Sequence, residues 1–383
     1  MATRDRTKAK VMRSFFMAAR WLCILFGCAL LATAQDSGSW SFAVSGDSRN
    51  CGDVVMPAIA AGVHKDGARF YWHLGDFRAT YDFDQDILAA PEYRAKRLAI
   101  ADYQRLEWQD FIAQQVRPFG DTPVRLAIGN HELVPPKTRA EYVQQFVDWI
   151  DAPPIQAQRL KDDPSDHLVR TYYHWIENGV DFIAVDNASE EQFDAAQVRW
   201  LERTLARDES DASVRSVVLG MHDALPDSLS AGHSMNETAQ MERSGRQVYQ
   251  DLLTFRAKTK KPVYVLASHS HFLMENVYND ACHAKPDSVL PGWIVGTAGA
   301  VRYRLPADTS GARQARTDVY GYLLATVKPD GTIQFAFKEI KPEDIPAQVA
   351  DRYGKQAQAC FTENKSPYTP EGPTCSVGRI PGP

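Results

Sequence analysis

Five short segments of the chain end in residue types that bind metal ions and phosphate. They are Ser45-Gly46-Asp47-Ser48-Arg49, His73-Leu74-Gly75-Asp76, Gly129-Asn130-His131-Glu132, Gly220-Met221-His222-Asp223 and Ser268-His269-Ser270-His271. Each follows an apolar run of strand length. Carboxylate, amide and imidazole groups gathered in one place suit Zn, Fe or Mn. Divalent ions beside a phosphate ester neutralise its oxygens and activate water. One such ending carries little weight. Asp47 or Asn130 alone reads as a turn residue, and His269 and His271 alone as half-buried strand histidines. Five in order, each on a strand end, point to one site.

The elements that must position these residues follow from periodicity. Residues 41–45, 69–74 and 123–128 read as strands, with a helix over 54–65 between the first two. Residues 81–116 read as a long helical insertion. Residues 171–176 and 180–185 pair around Glu177-Asn178-Gly179. Phe193, Ala196, Trp200 and Leu201 lie at helical spacing and predict a helix over 190–208. Strands over 214–219 and 263–267 flank a helix over 238–259. A strand over 293–296 follows, then a hairpin of 320–327 and 332–340 around Pro329-Asp330-Gly331. Strands alternate with helices early and pair late, which argues for an α/β sandwich. In such sheets ligands collect at the carboxyl ends of strands. Both 81–116 and 133–166 follow site motifs and are expected to shape the pocket. Tyr93, Tyr103, Trp108 and Phe111 lie at helical spacing and read as core. His73 reads as a core residue, and His64, His167, His174, His233 and His283 as surface or structural.

This motif order resembles the calcineurin-like metallophosphoesterase superfamily. That signature is Asp-x-His, Gly-Asp, Gly-Asn-His-Glu/Asp, a lone His and Gly-His-x-His, and the likeness spans about residues 40–340. The resemblance implies an α/β/β/α sandwich of two packed mixed β-sheets flanked by helices. It implies a phosphoric ester hydrolase with two divalent ions (Mn, Zn or Fe), or only one. Carried over residue by residue, Asp76 would bridge the ions. Asn130, His222 and His269 would complete one ion site, and Asp47 and His271 would hold the other. His131 would sit beside the phosphate, and Glu132 would fix His131 or its loop. Purple acid phosphatases are similar in motif order, with a tyrosine three residues after the bridging Asp. That position is Ala79 here, so no tyrosinate-coloured iron is expected. Two departures stand out: Ser268 replaces the Gly before the last His pair, and Arg49 replaces an imidazole. A guanidinium does not ligate a cation. Arg49 then contacts the substrate phosphate, or replaces the charge of the first ion, or marks a non-catalytic relative. The expected substrates are small phosphomonoesters, with a phosphodiesterase as the alternative.

Bulk properties agree with an exported protein. A basic segment with Arg4, Arg6, Lys8, Lys10, Arg13 and Arg20 precedes an apolar run over 21–32 and Ala32-Thr33-Ala34. This is the pattern of a secretory signal over 1–34, with a metallophosphoesterase domain over 35–340 and a packed extension over 341–383. The protein is expected in the periplasm or secreted, without stable membrane insertion once the signal is removed. After residue 34 the chain has 37 basic and 47 acidic residues, a net charge of −10. That balance speaks against nucleic acid as a partner. Cys51, Cys282, Cys360 and Cys375 allow three disulfide pairings, of which Cys51–Cys282 with Cys360–Cys375 is preferred. Asn187-Ala188-Ser189 and Asn236-Glu237-Thr238 fit the glycosylation pattern.

Overall fold

The computed structural model describes residues 38–95, 98–188, 193–279, 282–283 and 286–373. The secretory signal and Cys375 lie outside the described residues. Residues from Gly38 onward form one unit. Its strands are β1 (Trp40–Ser45), β2 (Tyr71–His73), β3 (Val124–Leu126), β4 (Tyr173–Glu177), β5 (Val180–Ala184), β6 (Ser216–Gly220), β7 (Val263–Ala267), β8 (Leu273–Glu275), β9 (Gly292–Val295), β10 (Gln314–Arg316), β11 (Tyr320–Val327) and β12 (Ile333–Ile340). One sheet has the order β12-β11-β1-β2-β3, the other β10-β8-β9-β7-β6-β5-β4. Both are mixed. β1, β2 and β3 run parallel, as do β5, β6, β7 and β9, and the outer strands are antiparallel. This is the sandwich the motifs imply.

The sheets pack through large aromatic side chains that alternate along their strands. Phe42, Phe70 and Trp72 come from one side, Trp175 and Phe182 from the other. Ring centroids are 4.9 Å apart for Phe42–Phe182, 5.1 Å for Phe70–Phe182 and 5.3 Å for Trp72–Trp175. The fit is close enough that a Cβ on Gly220 would lie 2.2 Å from the Trp72 ring. Central parallel strands buried on both faces read as continuous apolar runs, which is why they stand out in the sequence.

The helices are α1 (Gly52–Lys65), α2 (Gln85–Ala89), α3 (Ile100–Phe111), α4 (Arg139–Ile150), α5 (Pro153–Asp162), α6 (Ala195–Ser210), α7 (Ala239–Thr259), α8 (Ala347–Tyr353) and α9 (Lys355–Thr362). Among the described residues none is long and apolar enough to cross a membrane. The expected long helix over 81–116 is broken. α2 ends at Ala89, and the next residue, Ala90, takes the extended conformation (ψ 139°) that a following proline, Pro91, imposes. Two helices fill the stretch from 133 to 166. Thr138 caps α4 by accepting from Glu141 N, and Tyr142, Phe146 and Ile150 form its buried stripe. α6 starts later than periodicity suggests, because the Asp194 carboxylate caps Ala196 and Gln197 N–H. Of the core expectations, Tyr103, Trp108 and Phe111 are buried, and Tyr93 is half-buried.

The preferred cysteine pairing is not the one formed. Cys51 is bonded to Cys360 across 309 residues of sequence, and Cys282 is also disulfide-bonded. The reason is the route of the tail. Buried Arg302 donates to the carbonyls of Cys360, Phe361 and Asn364. Tyr353 Oη donates to Asp53 Oδ2 in α1 at 3.0 Å. Together these lay α8 and α9 against α1 and bring Cys360 to the residue that precedes it.

His174 is a buried structural cation. Its Nδ1 lies 2.9 Å from Asp181 and its Nε2 2.7 Å from Asp162. Burial opposes its charge, but the two carboxylates raise it to about 10. A histidine raised in the fold stabilises while the unfolded group is still protonated and loses that contribution as pH climbs to the folded value. The stability advantage of wild type over His174→Gln, from urea unfolding, is expected to shrink between about pH 6.5 and about 10. Unreduced peptide mapping is expected to join the Cys51 and Cys360 peptides. Changing both to alanine is expected to cost about 2–5 kcal/mol of unfolding free energy in the same assay.

Candidate active site

The five motifs converge where the carboxyl ends of β1, β2 and β3 meet those of β6, β7 and β9. Backbone bonds stitch the seam: Gly46 N to Val295 O at 3.0 Å and Ala298 N to Gly46 O at 3.0 Å. Asp47, Asp76 and His269, each just past a strand, take left-handed conformations with φ of 59°, 61° and 60°. Such φ values are uncommon for non-glycine residues and gather at functional sites. Gly129 is required for room, since a Cβ there would lie 2.4 Å from Asp76 Oδ1.

Three of the imidazoles are oriented by a bond on the far nitrogen. His222 Nδ1 donates to Leu74 O at 2.9 Å, His271 Nδ1 to Val301 O at 2.7 Å and His131 Nδ1 to Ala79 O at 2.7 Å. Their Nε2 atoms therefore face the site. His222 Nε2 lies 3.2 Å from Asp76 Oδ1, 3.0 Å from Asn130 Oδ1 and 2.9 Å from His269 Nδ1. The second oxygen of Asp76 is buried without a hydrogen-bond partner. Ligand atoms this close share one positive charge, a proton on His222 or a metal ion in its place, so Asp76, Asn130, His222 and His269 fit a divalent ion.

The other half of the site is different. His271 Nε2 lies 3.2 Å from Asp47 Oδ1, but also 3.1 Å from Arg49 Nη2. Arg49 Nη1 lies 2.6 Å from His131 Nε2, and Nε is 3.8 Å from Asp76 Oδ2. The hydroxyls of Tyr81 and Tyr303 accept from Arg49 at 3.4 and 3.3 Å. Asp47 Oδ2 accepts from Ser268 Oγ and, at 2.7 Å, from His269 N. The Ser268 hydroxyl thus holds Asp47.

Electrostatics follow the same division. Burial would raise Asp47 and Asp76, yet both are held below the usual carboxylate range. His271 does this for Asp47, and His131, His222 and Arg49 for Asp76. Burial works against a charged His222, but Asp76 and then Asp47 lift it to about 10. Burial and then Arg49 lower His131 to about 4, so its ring is neutral at pH 7. His73 is lowered to about 3 by burial; its ring packs 5.0 Å from Phe77 and 5.7 Å from Phe111, as a core residue.

Two carboxylate networks hold the loops. Glu132 accepts from three backbone N–H groups: Asp76 at 2.9 Å, Phe77 at 2.8 Å and Gly129 at 2.8 Å. It locks the Gly-Asp and Gly-Asn-His-Glu turns together. The second network centres on buried Arg78, paired with Asp53, Asp84, Asp86 and Asp110. Asp84 Oδ1 accepts from Asn50 N at 2.5 Å and from Ala79 N at 3.3 Å. It thereby sets the residue after Arg49 and the carbonyl that orients His131.

Several site residues have no strand-end motif. His233, read above as surface or structural, stacks 4.6 Å from His269, and the Tyr368 hydroxyl from the tail lies 3.1 Å from its Nδ1. Tyr303 stacks 3.9 Å from His271, and Tyr81 lies 5.0 Å from His131. Two groups of ligand atoms lie within 4.8 Å of one another among the described residues: Asp76, His222 and His269, and His233, Glu237 and His269. Asn187 is no surface sequon. Its buried amide donates to Asp223 O and accepts from His222 and Asp223 N–H.

No protein-family model matches the chain, and no curated protein matches it in sequence. In structure it is similar to a purple acid phosphatase isolated from yellow lupin (Lupinus luteus) seeds, with a TM-score of 0.53 and 16% identity. That match covers 86% of this chain and 57% of the lupin chain, so this chain spans little more than half its length. It also matches the structure of PhoD with a TM-score of 0.47 and 13% identity, over 84% of this chain and 77% of that one. The lupin structure shows a shared fold, and the resemblance seen in the motifs is borne out at that level.

Removing the Glu132 carboxylate would orphan three buried N–H groups, at about 1–3 kcal/mol each. Glu132→Ala is therefore expected to lose several times more stability than Glu132→Gln, whose remaining carbonyl oxygen still accepts. Denaturant titration of the two variants checks this.

Proposed function

We propose that the protein is an exported, metal-dependent hydrolase of small phosphomonoesters. The observation behind this reading is the position of Asp76. Its Oδ1 lies among the ligand atoms of His222, Asn130 and His269, and its Oδ2 faces Arg49. A cation-binding cluster and a fixed guanidinium thus share one carboxylate.

When bound at Asp76, Asn130, His222 and His269, a Zn, Fe or Mn ion supplies Lewis-acid charge for a phosphoryl oxygen and lowers the pKa of water. The remaining work falls to side chains. Arg49 offers forked N–H donors and a permanent charge, which suit two phosphate oxygens. His131 lies against the same guanidinium, so a phosphate docked on Arg49 meets its Nε2, whose lone pair takes a proton from the attacking water and passes it to the leaving oxygen. In hydrolysis the water oxygen forms a bond to phosphorus, the ester P–O bond breaks, and a proton from water ends on the leaving oxygen. A guanidinium and a divalent ion together match a monoester dianion better than a singly charged diester. The net charge of −10 after residue 34 disfavours polyanionic partners. The Cys51–Cys360 bridge suits an oxidising compartment, in keeping with export.

Metal-loaded protein is expected to hydrolyse p-nitrophenyl phosphate faster than bis(p-nitrophenyl) phosphate. Asp76→Asn is expected to lose both bound metal and turnover. His131→Ala is expected to keep its metal and lose about 10²–10⁴-fold in kcat. Faster diester turnover would make the protein a phosphodiesterase, and no turnover of either ester would make it a binding protein.

A further inference from the structure

The Asp47–His271 side of the centre already contains a cation. His271 has its proton on Nδ1, donated to Val301 O at 2.7 Å, so its Nε2 presents a lone pair. Arg49 Nη2 takes that lone pair at 3.1 Å. Asp47 commits one oxygen to Ser268 Oγ and His269 N, and turns the other to His271. An ion held by Asp47 and His271 would need the lone pair that Arg49 uses, and would sit against a like charge. Arg49 has little freedom to withdraw. It is only 7% exposed and lies between the Tyr81 and Tyr303 hydroxyls. The residue after it is tied on both sides, Asn50 N to Asp84 and Asn50 Oδ1 to Val301 N at 3.0 Å. On the opposite side, Asp76, Asn130, His222 and His269 bring ligand atoms together, and the guanidinium approaches only the other oxygen of Asp76, with Nε 3.8 Å from Oδ2.

We propose that this centre takes a single divalent ion, at Asp76, Asn130, His222 and His269, and that the Arg49 guanidinium is the permanent second cation facing the phosphate. The ion count rests on the geometry around Arg49; the role toward phosphate rests on the hydrolase reading above. Such a centre keeps the guanidinium's single positive charge beside the phosphate whatever the supply of metal.

The test is metal content, which needs no activity. Wild type, Arg49→Ala and Arg49→His are stripped with chelator, equilibrated with Mn²⁺ and desalted. Bound manganese per chain is then measured by mass spectrometry, and pairing of ions by electron paramagnetic resonance. The expected result is about one ion, magnetically isolated, in wild type and about two, exchange-coupled, in whichever variant folds. Two ions in wild type overturn the inference and leave the hydrolase reading intact, whether the extra ion sits beside Arg49 or at His233, Glu237 and His269. One ion in wild type and in every folded variant also overturns it, because the guanidinium would not then be what excludes the second. No ion in wild type removes the hydrolase reading itself.

Discussion

Two carboxylates, Asp47 and Asp76, are fully buried on the seam between the sheets, and buried charge has to be matched where it stands. Most of the site can be understood as the answer to that demand. His271 and Arg49 face Asp47 and Asp76, and His222 is lifted to about 10 by the same pair against its own burial. The pull that holds a proton on His222 is also the pull a divalent cation would feel. The imidazoles, the amide of Asn130 and the guanidinium are arranged around the two acids, with hydrogen bonds to Leu74, Val301 and Ala79 carbonyls choosing which nitrogen points inward.

A second buried charge cluster gives these loops their rigidity. Arg78 stands among Asp53, Asp84, Asp86 and Asp110, an excess of acid over base. The excess is eased because burial and the neighbouring carboxylates push Asp86 well up and Asp110 up to about 7, against the pull of Arg78. The cluster ties α1, α2 and α3 to the loop after β2. Through Asp84 it reaches both Asn50 and Ala79, and so both Arg49 and His131. The tail adds an outer brace. Arg302 gathers its carbonyls, Cys360 bonds to Cys51 beside α1, and Tyr368 reaches His233 at the rim of the site.

Much of this was legible in residue order, and the failures have physical causes. β1, β7, the hairpin of β11 and β12, and α7 were clear because apolar alternation, turn residues and the Thr238 cap are local properties. The insertion after β2 was misread as one helix because its helix-forming composition outweighed a single Pro91. The cysteine pairing was misjudged because four cysteines in order allow three pairings and carry no distances, while the carbonyls held by Arg302 set the real one. Asn187 matched a glycosylation pattern, and only its burial against His222 and Asp223 shows that it holds the backbone there.

The sequence by itself determined the fold class and the cation-binding residue types, because each motif is a strand end followed by a turn that its own residues specify. Only the tertiary structure decided what Arg49 touches. The guanidinium meets His131 at 82 residues and His271 at 222 residues of separation, and its flanking hydroxyls come from loops without any motif. Nothing near residue 49 in the chain encodes those neighbours. They exist because two sheets pack face to face and bring five strand ends to one seam.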